Sequence, residues 1–157
     1  MLFVATAVAG DEEMRQRIEE HQRKRSAAWR TLEVTTQVSR QILEKIGGAQ
    51  VVIVDCITLL VNNIFSQYSD QGEQIDVPLI KKRLISEIGE LIECIKRVDA
   101  SFIIVTNEVG LGLVPITRVG RLYRDLLARA NQKLAQAADE VYLMVAGLPV
   151  PIKTAKK

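Results

Sequence analysis

Four short apolar runs, at residues 2–6, 51–55, 102–106 and 141–145, carry Val, Ile or Leu on both alternating positions. A strand with apolar side chains on both faces needs cover on both, which is the condition of a parallel sheet sandwiched by helices. Longer amphipathic stretches separate the runs and supply that cover, so the fold class is α/β, a largely parallel sheet flanked by helices. Ile80, Leu84, Ile88, Leu91 and Ile95 recur at three- and four-residue spacing, as do Leu122, Leu126, Ala130 and Leu134, and both sets predict core-facing helices. In residues 11–25 only Met14 and Ile18 are strongly apolar among charged and polar residues, predicting a helix lying mostly in solvent. A shorter helix over 38–46 stops at Gly47-Gly48, and the polar residues 66–76 read as a loop before a helix that starts at Pro78.

A chain of 157 residues has the length of one domain, expected to span 1–157, and its 48% apolar and 25% charged residues suffice for a core. The net charge of +2 is too small to argue for a nucleic-acid or membrane partner. The longest apolar stretch, 51–65, is interrupted by Asp55, Asn62 and Asn63 and is too short for a membrane span. No signal-peptide pattern follows Met1, so a cytoplasmic location is expected. Cys56 and Cys94 lie far apart and His21 is the only histidine, which leaves no zinc pattern and no disulfide framework, and two buried thiols are expected. No G-x-S-x-G elbow is present, which argues against hydrolase chemistry of the Ser-His-Asp type.

Ligands of open α/β sheets bind beyond the carboxyl ends of the strands, which directs attention to Thr6, Asp55 and Asn107. Asp55 ends Val-Val-Ile-Val-Asp, a pattern that in nucleotide enzymes sets a carboxylate near metal-bound phosphates, and that equally fits the cap of a following turn. Thr-Asn-Glu-Val-Gly-Leu-Gly at 106–112 suits either a substrate loop carrying Asn107 and Glu108 or a glycine-bearing turn. His21 is followed by Arg23, Lys24 and Arg25. A neutral imidazole can attack phosphorus while such cations stabilise the phosphate oxygens, and the competing reading is a solvated helix with an incidental histidine. Arg121 and Arg124 can meet an anion together or form part of a solvated face.

Phe-Val-Ala-Thr-Ala, Asp-Glu-Glu-Met, Arg-Ile-Glu-Glu-His, Trp-Arg-Thr-Leu-Glu, Asp-Cys-Ile-Thr, Val-Thr-Asn-Glu-Val-Gly and Gly-Leu-Pro follow one another along the chain. In that order they resemble the bifunctional adenosylcobinamide kinase and adenosylcobinamide-phosphate guanylyltransferase family of cobalamin synthesis, from Leu2 to about Lys153. The resemblance implies a P-loop NTPase-like (RecA-like) sheet and makes His21 the nucleophile that takes GMP from GTP and passes it to adenosylcobinamide phosphate. It also implies GTP contacts at Ala5, Thr6, Ala7, Gln22, Arg23, Lys24, Arg25, Glu33 and Asp55, with Asp55 the carboxylate associated with Mg2+. GTP, ATP and Mg2+ are the implied cofactors, adenosylcobinamide and its phosphate the implied partners, and a homo-oligomer, a trimer, the implied assembly.

One departure stands out. The family opens with a strand, a Gly-rich Ser-Gly-Lys-Ser type loop and a helix, about 30 residues as one strand-loop-helix unit, and this sequence has no such loop. The expectation is therefore a chain that begins on the second strand, with impaired nucleotide binding and an exposed edge on the strand carrying Asp55. A non-enzymatic nucleotide- or corrinoid-binding remnant and an oligomerisation partner are the alternatives.

Overall fold

In the computed structural model, which describes residues 1–69 and 75–155, the elements run β1 (Leu2–Ala5), α1 (Glu12–Lys24), β2 (Arg30–Glu33), α2 (Val38–Lys45), β3 (Val51–Asp55), α3 (Ile57–Ser69), α4 (Val77–Arg97), β4 (Ser101–Val105), α5 (Arg118–Ala137), β5 (Val141–Val145) and β6 (Leu148–Lys153). The first four strands form a parallel sheet in the order β2-β1-β3-β4. This is the α/β architecture that the alternating runs predict.

The two faces of the sheet differ. Strand side chains alternate with a period of two, so Val4, Val52, Val54, Phe102 and Ile104 face one way in register and Phe3, Ile53 and Ile103 the other. The first set joins the core formed with Ile42, Leu60, Ile64, Leu84, Ile88, Leu91 and Leu126 of helices α2 to α5. These helices pack on one another, α2 and α3 on α4, and α3 and α4 on α5. On the second face the Trp29 ring stacks on Phe3 with centroids 6.3 Å apart, and the Arg25 guanidinium lies 3.9 Å from the Phe3 ring centre. Farther along that face Ile103 and Val105 remain 51% and 40% exposed. This is the open face of the sheet.

Several expectations change. The apolar stretch 51–65 holds β3 and then α3, whose Ile57, Leu60, Val61, Ile64 and Phe65 are buried at helical spacing. Two periods run into one another there, and together they read as one run. Of the expected loop 66–76, residues 66–69 continue α3, 70–74 lie outside the described residues, and Asp76 caps α4 by accepting from the Leu79 N–H at 2.9 Å. Strand β2 escapes the apolar pattern because it is a sheet edge with mostly exposed side chains.

Residues 141–145 form a strand but do not join the parallel sheet. They pair antiparallel with β6 through Ala146 and Gly147, whose φ values of 51° and 80° are those of a two-residue hairpin turn. The hairpin is tied to α5 by Lys153, whose ammonium donates to the carbonyls of Ala135, Gln136 and Ala138 at the helix end. Nor is the strand carrying Asp55 an edge: β3 is paired on both sides, with β1 and with β4, and the edges of this sheet are β2 and β4. Only Cys94 is a buried thiol, for Cys56 is half-buried.

Candidate active site at the strand ends

Register sets the first feature of the site. Ala5 pairs with Glu33 on one side and Asp55 on the other, and Asp55 pairs with Val105, so these four residues form one row at the carboxyl ends of the strands. Each lies two positions beyond an open-face residue and shares that face. Glu33 and Asp55, two carboxylate-bearing residues, thus flank Ala5 with their backbones about 10 Å apart at the strand spacing of a sheet.

Helix α1 reaches this face at its last turn. Asp11 starts it by accepting from the Met14 N–H at 2.7 Å, and no residue of it is buried, so packing alone does not hold it. Two contacts do. Gln22 Nε2 donates to Glu33 Oε1 at 2.7 Å, and Arg25, the C-cap residue, stacks on Phe3. Arg25 Nε and Nη1 are buried with no hydrogen-bond partner. A guanidinium with unused donors on an aromatic face is suited to an anionic group. His21 is exposed beside Gln22, and Arg23 and Lys24 are exposed next to it.

The exits of β1 and β3 are fixed by a threonine. Thr6 is fully buried, and its hydroxyl donates to the Cys56 carbonyl at 2.7 Å and accepts from the Cys56 N–H at 2.9 Å across a cis Asp55–Cys56 peptide. That hydroxyl is therefore engaged with backbone, while Ala7 just beyond it is half-buried. Cys56, not Asp55, holds the capping position of α3, its carbonyl accepting from the Leu60 N–H at 3.2 Å.

The Asn107–Glu108 loop stands at the end of β4. The Asn107 N–H donates to Thr58 Oγ1 at 2.9 Å, its carbonyl accepts from Asn131 Nδ2 at 3.0 Å, and Asn131 Oδ1 accepts from the Thr106 hydroxyl at 2.8 Å. Tyr123 completes this network by donating to the Thr58 carbonyl at 2.9 Å. Burial, and next the half-buried Cys56 thiol, push the Tyr123 phenol above its ordinary range. Glu108 turns back on its own loop to accept from the Gly110 N–H, and Arg121 braces the carbonyls of Pro115 and Ile116, at 2.9 and 2.6 Å, rather than joining Arg124. Thr58, Asn63, Tyr123 and Asn131 were not legible as site residues. Asn63 did carry a signal, an amide inside an apolar run.

No cluster of three or more metal-binding side chains occurs among the described residues. A family model described as cobinamide kinase / cobinamide phosphate guanyltransferase matches residues 1–152. The chain belongs to this family. Over 155 residues, 98% of this chain, it is 38% identical to the bifunctional adenosylcobalamin biosynthesis proteins CobU of Escherichia coli strain K12 and of Salmonella typhimurium strain LT2, in each case covering 86% of the relative. It is similar to CobP of Pseudomonas aeruginosa at 36% identity over 151 residues, 96% of this chain and 81% of that protein. The cobinamide kinase and guanyltransferase family is one of bifunctional transferases that act on nucleotides and cobinamides in adenosylcobalamin biosynthesis. No helix among the described residues is long and apolar enough to cross a membrane.

Proposed function

We propose that residues 1–157 are one cytoplasmic guanylyltransferase domain that moves GMP from GTP to adenosylcobinamide phosphate through His21. The observation that carries this reading is the pair of contacts anchoring the end of α1, Gln22 to Glu33 and Arg25 to Phe3, on the face that also bears Asp55. An imidazole nitrogen of His21 attacks the α-phosphorus of GTP, an N–P bond forms as the bridging P–O bond breaks, and pyrophosphate leaves. A phosphate oxygen of adenosylcobinamide phosphate then attacks the same phosphorus, the N–P bond breaks, and adenosylcobinamide-GDP is released.

Arg23, Lys24 and the unused donors of Arg25 stabilise charge on the phosphate oxygens, and Gln22, Glu33 and the backbone from Ala5 to Ala7 position the nucleotide. Asn107 and Glu108 border the corrinoid side. With Glu33 engaged by Gln22, the Asp55 carboxylate at the strand end fits Mg2+, which takes one or two carboxylates together with substrate phosphates, and Asp55 would hold it. When bound, the ion supplies charge neutralisation on those phosphates.

The kinase step, from adenosylcobinamide and ATP or GTP, needs in addition a Gly-rich phosphate loop that this sequence does not contain. Of the two unpaired edges, at β2 and β4, the one at β4, beside the exposed Ile103 and Val105, supports a place for the strand that would carry it, and β3, paired on both sides, offers none. Assembly into a homotrimer belongs to the same reading.

The test is incubation with GTP labelled at the α-phosphate. An acid-labile adduct is expected that disappears on addition of adenosylcobinamide phosphate and is absent from His21→Asn. Label retained by His21→Asn would overturn the assignment, and GTP binding without any adduct would identify a nucleotide-binding module instead.

A further inference from the structure

We propose that Asn63 is a positioning residue of the nucleotide site, acting through one side-chain amide that ties the exits of β1 and β2 together; the inference rests on the guanylyl-transfer reading above. Asn63 stands two turns into α3 and is half-buried. Its Nδ2 donates to the Thr6 carbonyl at 2.8 Å and to the Thr35 carbonyl at 3.0 Å. Those carbonyls lie just beyond the last residues of β1 and β2, where the ladder ends with Thr6 N–H to Asp55 O at 3.1 Å and Val34 N–H to Ala5 O at 2.9 Å.

The position demands this side chain. A primary amide nitrogen carries two N–H donors on one atom and can serve two carbonyls at once. Aspartate, of the same shape, offers only acceptors when ionised, and leucine offers neither. On the other side of Thr6 its hydroxyl fastens the backbone of Cys56. Asn63 and the Thr6 hydroxyl thus join the three segments that carry Glu33, Ala5 to Ala7 and Asp55. Nucleotide geometry set by those segments depends on Asn63, although it is separated from the open face by the sheet rim.

Hydrogen exchange and GTP titration of the 157-residue chain, with Asn63→Leu and Asn63→Asp, decide the proposal. Losing two hydrogen bonds should speed exchange of the Thr6 and Val34 amides by about tenfold, with a smaller change at Leu91 and Leu126 in the helix layer. GTP-dependent shifts in melting temperature should then require more GTP, and labelling at saturating GTP should stay slower than wild type, a loss of rate that a stability defect alone would not give. If either variant fails to fold, Asn63→Ala, which removes the amide without adding bulk or charge, takes its place and should speed exchange at the same two amides.

Unchanged exchange at Thr6 and Val34 would overturn the tie. Faster exchange there with GTP titration and labelling as in wild type would overturn the positioning role. A wild-type chain that neither shifts with GTP nor takes label would overturn the guanylyl-transfer reading and the role with it, while exchange still decides whether the tie exists.

Discussion

The rim over β1, β2 and β3 and the edge at β4 belong to one sheet and differ in the apolar surface they leave uncovered. Over the first three strands every exit is held by a side chain from elsewhere in the chain: Thr6 on Cys56, Asn63 on Thr6 and Thr35, Gln22 on Glu33. The exit of β4 is tied too, by Thr58 and Asn131, but beside its unpaired outer edge the open-face residues Ile103 and Val105 are exposed, and Leu113 and Ile116 of the following loop are 96% and 95% exposed. A parallel strand apolar on both faces is built for cover on both. The difference separates a rim tied by side chains of this chain from a border with apolar surface to spare, which is the kind of surface that meets a further strand or another molecule.

The largest effects should separate the two faces of the sheet. Leu60 of α3 is fully buried in the helix layer, and Leu60→Ala should cost about 2–5 kcal/mol of unfolding free energy. Ile103→Ala removes a side chain that is half exposed on β4, and should cost less than about 1 kcal/mol. Urea denaturation of both variants measures the contrast. Equal losses would show that the open face is covered in solution and would abolish the distinction between the regions.

A smaller loss should follow from cutting the tie between α2 and α4. Glu87 of α4 is buried, and its carboxylate accepts from the Gln37 N–H at 3.0 Å and the Val38 N–H at 2.7 Å. Gln37 has φ of 55° and caps α2 without using its own side chain, so the distant carboxylate does the capping. Glu87→Ala leaves both donors unpaired beside fully buried Val38 and should cost about 1–3 kcal/mol. Glu87→Gln keeps one acceptor oxygen and should lose about half of that. A Glu87→Ala protein with wild-type urea midpoint would mean that water replaces the carboxylate and that this region is less tightly closed than its bonds imply.

How much of this was legible follows the same boundary. Val52 and Val54 in β3, or Ile80, Leu84 and Ile88 in α4, announce themselves because burial imposes a period on the sequence. The pattern failed where burial is one-sided or where two elements abut. It missed the exposed β2, merged α3 into the run after β3, and assigned residues 141–145 to the parallel sheet because a strand's composition does not state its partner. At the site, Asp55 and His21 were visible as residue types in a context. Asn63, Thr58 and Asn131 act on backbone carbonyls and amides across 24 to 57 residues of sequence, a relation that no local pattern encodes. The free edge was foreseen on the wrong strand, since which strand neighbours which is a property of the crossovers.

The smallest expected effect lies in the alkaline limb of stability, where the two regions again differ. Burial pushes the Cys94 thiol in α4 upward, with Arg97 opposing it in part, while the Tyr142 phenol on the hairpin is raised by its hydrogen bond to Glu140. Both are acids whose folded form prefers to stay protonated, so each contributes stability that is present below its unfolded pKa and lost as pH rises through the folded one. For a thiol the loss begins near pH 8.5, about the free-cysteine value, because the unfolded chain then releases its proton first. Cys94 is nearly inaccessible and can ionise freely only when the helix layer opens, so its ionisation is coupled to global unfolding. Tyr142 is half exposed on a strand outside the parallel sheet, and solvent screens its charge. Between pH 8 and 10, Cys94→Ala should therefore flatten the fall of unfolding free energy with pH, whatever constant offset its lost packing adds, and Tyr142→Phe should leave the slope as it is. Urea midpoints taken across that range check both slopes. A slope altered by Tyr142→Phe and not by Cys94→Ala would place the cooperative core at the hairpin, and the contrast between the closed rim and the open edge would be reversed.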